Sequence, residues 1–189
     1  MKVTNEQTAY DGHFKIKTFD VTDPTTNHTH KEECFERGDS VAALVLDREK
    51  QTFLFTKQFR IGAKQELLEV VAGSMDKEGE EPIDALKREL MEELGVEIAP
   101  SEDGTDYPNY QSLGVFYPSP GGCSEKIHLF VVDKIVRSGK GGGVNDEEII
   151  DIVELTVEQL EEKFQENAFI DLKTAFLLQA FLAAQQPHL

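Results

Sequence analysis

The segment Pro82–Gly95 constrains the chain most. Proline suits the first turn of a helix, where its missing N–H leaves nothing unpaired, and Gly95 suits the stop. Ile83, Leu86, Leu90 and Leu94 advance by three or four residues, which predicts a helix over 82–94 with one buried stripe. At about 100° per residue, Glu89, Glu92 and Glu93 share the adjoining sector. Like charges at these spacings cost a few tenths of a kcal/mol per pair in water, and more beside a core, so positive charge is expected among them. Hard divalent cations favour carboxylate oxygen, which makes Glu89 and Glu93 candidate direct ligands and Glu92 a further or water-mediated one. On the triplet alone, a solvated acidic face is the commoner explanation.

The rest of the chain supplies a sheet for this helix. Alternation over Tyr10–Val21 predicts a strand after a turn at Asp11-Gly12, and a second strand is expected over His30–Arg37. The apolar run Val41–Leu46 reads as a buried strand, and Thr52–Thr56 returns from the polar turn Asp47–Lys50 to end in Lys57-Gln58-Phe59-Arg60. Further strands are expected at Leu67–Ala72, Gln111–Phe116 and Ile127–Val132, with the most flexible stretch at Ser138–Gly143. The C-terminal third reads as helical, opening on a capping box at Thr156 and Gln159 and continuing with Leu172, Phe176, Leu177 and Phe181 at helical spacing.

A length of 189 residues suits one well-buried core with a small appended subdomain. A formal charge of −17 argues against a nucleic-acid binder, which needs clustered Lys and Arg. A small anionic substrate therefore needs metal ions or a local basic pocket. Cys34 and Cys123 lie far apart without metal-ligand spacing, so neither a disulfide framework nor a zinc site is indicated. No secretory signal order and no apolar run of membrane length is present, which gives the expectation of a cytoplasmic protein without membrane contact.

The helix and its approach resemble the Nudix box: Gly73, a spacer, Glu80, then Arg88-Glu89-Leu90-Met91-Glu92-Glu93-Leu94-Gly95-Val96. Six residues rather than the family's usual five separate Gly73 from Glu80, an addition that falls in the loop before the helix. The resemblance implies an α+β fold, the α/β/α Nudix sandwich with a mixed sheet over residues 40–189, preceded by a small N-terminal antiparallel β subdomain over residues 1–39. It implies Mg2+ as cofactor, with Mn2+ a possible substitute, held by Glu89, Glu92, Glu93 and the carbonyl of Ala72. Gly73, Glu80, Arg88 and Gly95 take structural roles, Glu80 and Arg88 as a salt bridge bracing loop and helix.

Beyond the box, the chain resembles the branch of the family acting on ADP-ribose and related nucleotide sugars. Ser119-Pro120-Gly121-Gly122-Cys123-Ser124-Glu125 is similar to that branch's Ser-Pro-Gly-Gly loop, which implies substrate contacts from Ser119, Gly121, Gly122 and Glu125. Arg60 resembles the strand-end arginine that grips the diphosphate, and guanidinium suits bidentate phosphate contact. Asn145–Ile152 resembles an acidic segment supplying a general base, which points to Glu148, with Glu147 as the neighbouring alternative. Catalytic roles accordingly fall to Glu148, Glu93 and Glu89.

The implied reaction is metal-assisted hydrolysis of the diphosphate bridge of a nucleoside diphosphate sugar, with ADP-ribose leading and GDP-mannose or another such sugar as the alternative. Glu32 and Glu33 stand where an Arg-Glu pair would contact adenine, and Ile127-His128-Leu129-Phe130 resembles the GDP-mannose members. The resemblance also implies a homodimer through the N-terminal subdomain. A non-catalytic nucleotide-sensing module with the same fold is the rival from another class, although such a binder has little reason to tolerate three adjacent carboxylates.

Overall fold

The computed structural model describes residues 1–101, 109–143 and 150–185. Strand β4 (Ser40–Asp47) forms its centre because nearly every side chain of the apolar run is buried, and a strand covered on both faces needs no polar alternation. Val41, Ala43 and Val45 enter one core, while Ala42 and Leu44 enter a second core on the opposite face. The strand β5 (Thr52–Arg60) divides likewise, Leu54 to the first core and Phe53 and Phe55 to the second.

In chain order the elements are β1 (Lys2–Asp11), β2 (Lys15–Thr22), β3 (Thr29–Glu36), β4, β5, β6 (Gln65–Glu69), β7 (Val71–Ser74) and the helix α1 (Pro82–Glu89). There follow β8 (Val96–Ile98), β9 (Tyr110–Phe116), β10 (Ile127–Val132), β11 (Ile135–Arg137), β12 (Asp151–Thr156), α2 (Val157–Gln165) and α3 (Leu172–Gln185). The main sheet runs β12-β5-β4-β10-β9, with β6 on β5 and β7 on β4. Among the described strands of this sheet only β4 and β10 pair in parallel, so the sheet is mixed, as expected. Leu86, Leu90 and Leu94 of the acidic helix fill the first core, and Leu160, Leu177 and Leu178 of α2 and α3 fill the second.

The expected strand over Leu67–Ala72 is broken at Val70, whose N–H bonds instead to the Thr174 hydroxyl of α3 at 3.0 Å. The break separates two partners: β6 follows the outer end of β5, and β7 follows the first half of β4. Between β4 and β5, pairing covers only Val45–Asp47 against Thr52–Leu54, so beyond Leu54 the two strands part. The sheet therefore forks, and the ends of β5 and β7 form opposite walls.

One helical expectation changes. The segment from Leu90 to Leu94 widens into a π-helical turn and closes at Gly95 in the left-handed conformation, φ 66°. The helical spacing of Leu172, Phe176, Leu177 and Phe181 becomes α3, in which Leu177 and Phe181 pack in the core while Leu172 and Phe176 are 64% and 40% exposed. The capping box of Thr156 and Gln159 is present as expected.

A separate three-stranded antiparallel sheet, β1-β2-β3, precedes the main sheet. Its edge strand β1 was not expected, since all ten of its residues are exposed and carry no apolar alternation. The turn lies at Gly12–Phe14, and the strand begins only at Lys15. The sheet joins the body through Phe35, whose N–H bonds to the Gly122 carbonyl at 2.8 Å and whose carbonyl accepts from Ser124 N–H at 3.1 Å.

At the far end of the β4–β5 hairpin, Asp47 is buried and accepts bonds from the amides of Glu49 and Lys50 and from Arg137 at 2.9 Å. Burial works to raise its pKa, but the Lys50 amide and Arg137 outweigh it and hold the carboxyl below its ordinary value. Its contribution to stability is thus present above the unfolded carboxylate value of about 3.9 and is lost as pH falls through the lower folded value. Asp47→Asn is expected to cost about 1–3 kcal/mol at pH 7 in urea denaturation, with the gap to the native chain narrowing below about pH 4.

Candidate active site

The backbone of β7 lies directly against the acidic helix. At Gly73 an added Cβ would fall 1.9 Å from Glu89 Cδ, so only glycine leaves room for that carboxylate. One residue earlier, the Ala72 N–H donates to Glu93 Oε2 at 3.3 Å. A strand residue points its N–H and C=O to the same side, so the Ala72 carbonyl faces the same flank of β7. Glu89 and Glu93 are each 7% exposed, and Glu92 is half-buried.

Arg88 supplies positive charge to two members of the triplet, Glu89 and Glu92. Its Nη1 donates to Glu89 at 2.5 Å and to Glu92 at 3.3 Å, its Nη2 to the Ser74 carbonyl at 2.8 Å, and its Nε to Glu80 at 3.4 Å. Glu80, 6% exposed, therefore reaches Arg88 despite the added residue in its loop. Burial disfavours the guanidinium charge, yet Glu80 and Glu89 hold its pKa above the ordinary value. Burial also pushes Glu89 above the usual carboxylate range, against the opposing charge of Arg88.

Among the described residues no three Asp, Glu, His or Cys side chains converge as a formed metal cage. Glu89 and Glu92 turn to Arg88, and Glu93 turns to Ala72. The donor set still fits a hard divalent ion in kind, with two buried carboxylates, a third beside them and a main-chain oxygen on the facing strand. Gly73 adds a steric observation, since a side chain there would fill the space in which Glu89 sits.

These residues form one wall of a cleft of about 990 Å³. On the opposite wall, Arg60 donates from Nε and Nη2 to Glu69 at 2.9 and 2.5 Å, and Lys173 lies 3.4 Å from the same carboxylate, which is 3% exposed. Asp171, 2.9 Å from Lys173, also accepts from the amide and hydroxyl of Thr174, which ties this wall to α3. Burial works to raise the Asp171 pKa, but Lys173 and the Thr174 hydrogen bonds together outweigh it and hold the carboxyl below its ordinary value.

Toward the small sheet, Glu125 accepts from the Ser40 hydroxyl at 2.9 Å and lies 3.6 Å from Arg37. Arg37 stands 5.9 Å from the Phe14 ring centroid, and both line the cleft. Gln58, two residues before Arg60, lines it too, and its buried Nε2 has no hydrogen-bond partner.

The cleft thus gathers Ala72, Gly73, Arg88, Glu89, Glu92 and Glu93 with Arg60 and Glu125. Ser119, Gly121 and Gly122 do not line it; they form a turn in which Ser119's carbonyl accepts from Gly122 and Cys123, and the turn holds β3. Glu148 and Glu147 lie outside the described residues. Glu32 and Glu33 are exposed on β3, whereas Glu36 and Arg37 reach the cleft. Arg37 and Lys173 were missed from sequence, and so was the aromatic pair Phe116 and Phe176, 4.9 Å apart on its rim. A lysine inside an otherwise apolar helical run was the available signal for Lys173.

The contact between Gly73 and Glu89 is open to a double-mutant cycle. Gly73→Ala is expected to destabilise the chain by about 1–3 kcal/mol through overpacking. In the Glu89→Ala background the same change is expected to cost less than half as much, read by thermal denaturation; equal costs would contradict the contact.

The chain is similar in sequence and in fold to known proteins. The NUDIX domain family matches residues 36–174. The chain is 34% identical over 158 residues to a GDP-mannose pyrophosphatase of Cronobacter sakazakii, covering 79% of this chain and 76% of that one. Enzymes of the same name from Citrobacter koseri and Escherichia coli are 33% and 32% identical over 157 residues, with the same coverage. A crystal structure of an ADP compounds hydrolase superposes with a TM-score of 0.75 at 17% identity over 97% of this chain and 95% of that one, a likeness of fold. With the family's domain spanning most of its length, and helix, glycine and carboxylates in the arrangement described, the chain belongs to the Nudix family of hydrolases.

Proposed function

We propose that this hydrolase splits the diphosphate bridge of a nucleoside diphosphate sugar with Mg2+ as cofactor, and that the sugar nucleotide is GDP-mannose rather than ADP-ribose. The observation that carries the reading is the cleft itself, which sets three carboxylates against the cations Arg60, Lys173 and Arg37 in a chain of formal charge −17. A diphosphate needs both, metal ligands on one side and fixed cations on the other. The GDP-mannose pyrophosphatases at 32–34% identity favour the guanosine sugar over the ADP-ribose that led in the sequence. The products would be GMP and mannose 1-phosphate.

Glu89, Glu92, Glu93 and the Ala72 carbonyl would hold the ion, whose bound charge neutralises the diphosphate oxygens and lowers the pKa of water. Arg60 spends Nε and Nη2 on Glu69, which fixes its fork and leaves Nη1 for a phosphate oxygen. Lys173, anchored between Glu69 and Asp171, adds a second cation on that wall. Phe14 and Arg37 offer a face for the base or its ribose, and Glu125 an acceptor for sugar hydroxyls. The proton of the attacking water falls to Glu148, or to Glu147 beside it. The N-terminal β subdomain, residues 1–39, is assigned in the same reading to a homodimer; the ten exposed residues of β1, with Val3 and Tyr10 more than half exposed, support it.

The test is a substrate panel of GDP-mannose, ADP-ribose, UDP-glucose and diadenosine compounds with magnesium. GDP-mannose is expected to give the highest kcat/KM. Glu93→Gln is expected to lower kcat by at least about 10²-fold with the melting temperature retained. Lys173→Ala is expected to lower kcat/KM by roughly 10-fold or more, the size of a lost charged hydrogen bond. Nucleotide binding without magnesium-stimulated hydrolysis would replace this reading with that of a sensing module. Light scattering is expected to give twice 21.2 kDa, and a monomer mass would remove the dimer.

A further inference from the structure

The stretch Ser138–Gly143, which composition marks as flexible, closes on the C-terminal end of the acidic helix. Helix ends leave carbonyls without partners, and here one loop supplies them with four amides. Gly143 N–H donates to the Glu92 carbonyl at 3.0 Å and Gly142 N–H to the Glu93 carbonyl at 2.8 Å. Ser138 and Gly139 both donate to the Gly95 carbonyl, at 3.0 and 2.9 Å.

The approach is as close as backbone allows. An added Cβ at Gly141 would fall 2.6 Å from the Glu93 carbonyl oxygen and from Leu94 C, and one at Gly95 would fall 2.6 Å from the Gly139 carbonyl. Positive φ at Gly95, Gly141, Gly142 and Gly143, from 65° to 96°, gives a second reason for glycine at each.

We propose that Ser138–Gly143 is a backbone clasp that positions Glu92 and Glu93, with Gly141 and Gly139 as positioning residues rather than packing filler. Glu93 is held at both ends, its carbonyl by Gly142 and its carboxylate by the Ala72 N–H. The clasp also faces N–H groups to the negative end of the helix, which offsets partial charge that would otherwise add to the carboxylates beside it. Magnesium tolerates little departure from octahedral ligation, so a displaced Glu93 loses affinity for the ion before the fold is lost. The inference rests on the assignment of Glu89, Glu92 and Glu93 as ligands in the proposed function.

The test is Mn2+ binding by electron paramagnetic resonance on the full chain without substrate, paired with kcat and KM. Gly141→Ala is expected to weaken Mn2+ binding by about 10-fold or more, the effect seen when outer supports of metal ligands are lost, and to lower kcat with KM little changed. Gly139→Ala, at an ordinary φ and meeting chiefly the flexible Met91 sulfur at 3.0 Å, is expected to weaken binding less, and Gly139→Val more than Gly139→Ala. That graded pair carries the test if Gly141→Ala does not fold. Leu178→Ala, in the opposite core, serves as the control that loses thermal stability and keeps Mn2+ affinity. Native affinity in the folded glycine variants while Glu93→Gln loses the ion would overturn the clasp alone. An equal loss of affinity in Leu178→Ala would overturn it as well. No Mn2+ binding by the native chain, or native affinity in Glu93→Gln, would overturn the ligand assignment and the clasp with it.

Discussion

One guanidinium holds the acidic centre together. Three carboxylates within five residues on one helix face repel, and two of them are nearly excluded from water. Burying such charge without a partner costs several kcal/mol per ion, so neutralisation is a condition of the fold. Arg88 meets that condition for Glu89 and Glu92, which it bonds together with Glu80 while Nη2 reaches the Ser74 carbonyl, and the Ala72 N–H donates to Glu93. The same bonds fasten the loop after β7 to the helix, so the charge balance of the site and the placement of its strand have one cause. A divalent ion bound as proposed would compete with Arg88 for Glu89 and Glu92, and Glu80 would give the displaced guanidinium a partner to retain.

The cleft owes its two walls to the fork in the sheet. Had β5 stayed paired to β4 along its whole length, Gln58 would lie opposite Val41 and Arg60 opposite Asp39, with no gap to receive a ligand. The break at Val70, satisfied by Thr174, lets β7 take the place of β5 beside β4 and carries Ala72 and Gly73 to the helix. Charge then separates across the gap, carboxylates against the helix and cations anchored by Glu69 and Asp171 on the far side.

Much of this was legible in the residues. The apolar stripe of Leu86, Leu90 and Leu94, the buried run at Val41–Leu46 and the Thr156 capping box are local patterns, and each became the element it implied. The pattern Gly73, Glu80, Arg88 and Glu89 identified the family because its spacing reflects direct contacts, Gly73 against Glu89 and Glu80 against Arg88. What stayed hidden depends on distant pairing. The strand β1 has no buried face to impose alternation, and β12 follows in sequence an acidic run that reads as loop. Lys173 meets Glu69 only because α3 crosses the break at Val70. Glycine content at Ser138–Gly143 signalled freedom where the structure uses glycine for close approach, and composition does not distinguish the two.

The central claim is that a divalent ion takes over the place among the carboxylates that Arg88 holds without it. Anomalous diffraction from crystals soaked with Mn2+ and a non-hydrolysable sugar nucleotide measures this directly. A manganese peak is predicted within ligand distance of Glu89, Glu93 and the Ala72 carbonyl, with Arg88 withdrawn toward Glu80 and the diphosphate beside Arg60. A nucleotide bound in the cleft with no anomalous peak, and Arg88 still bonded to Glu89 and Glu92, would contradict it.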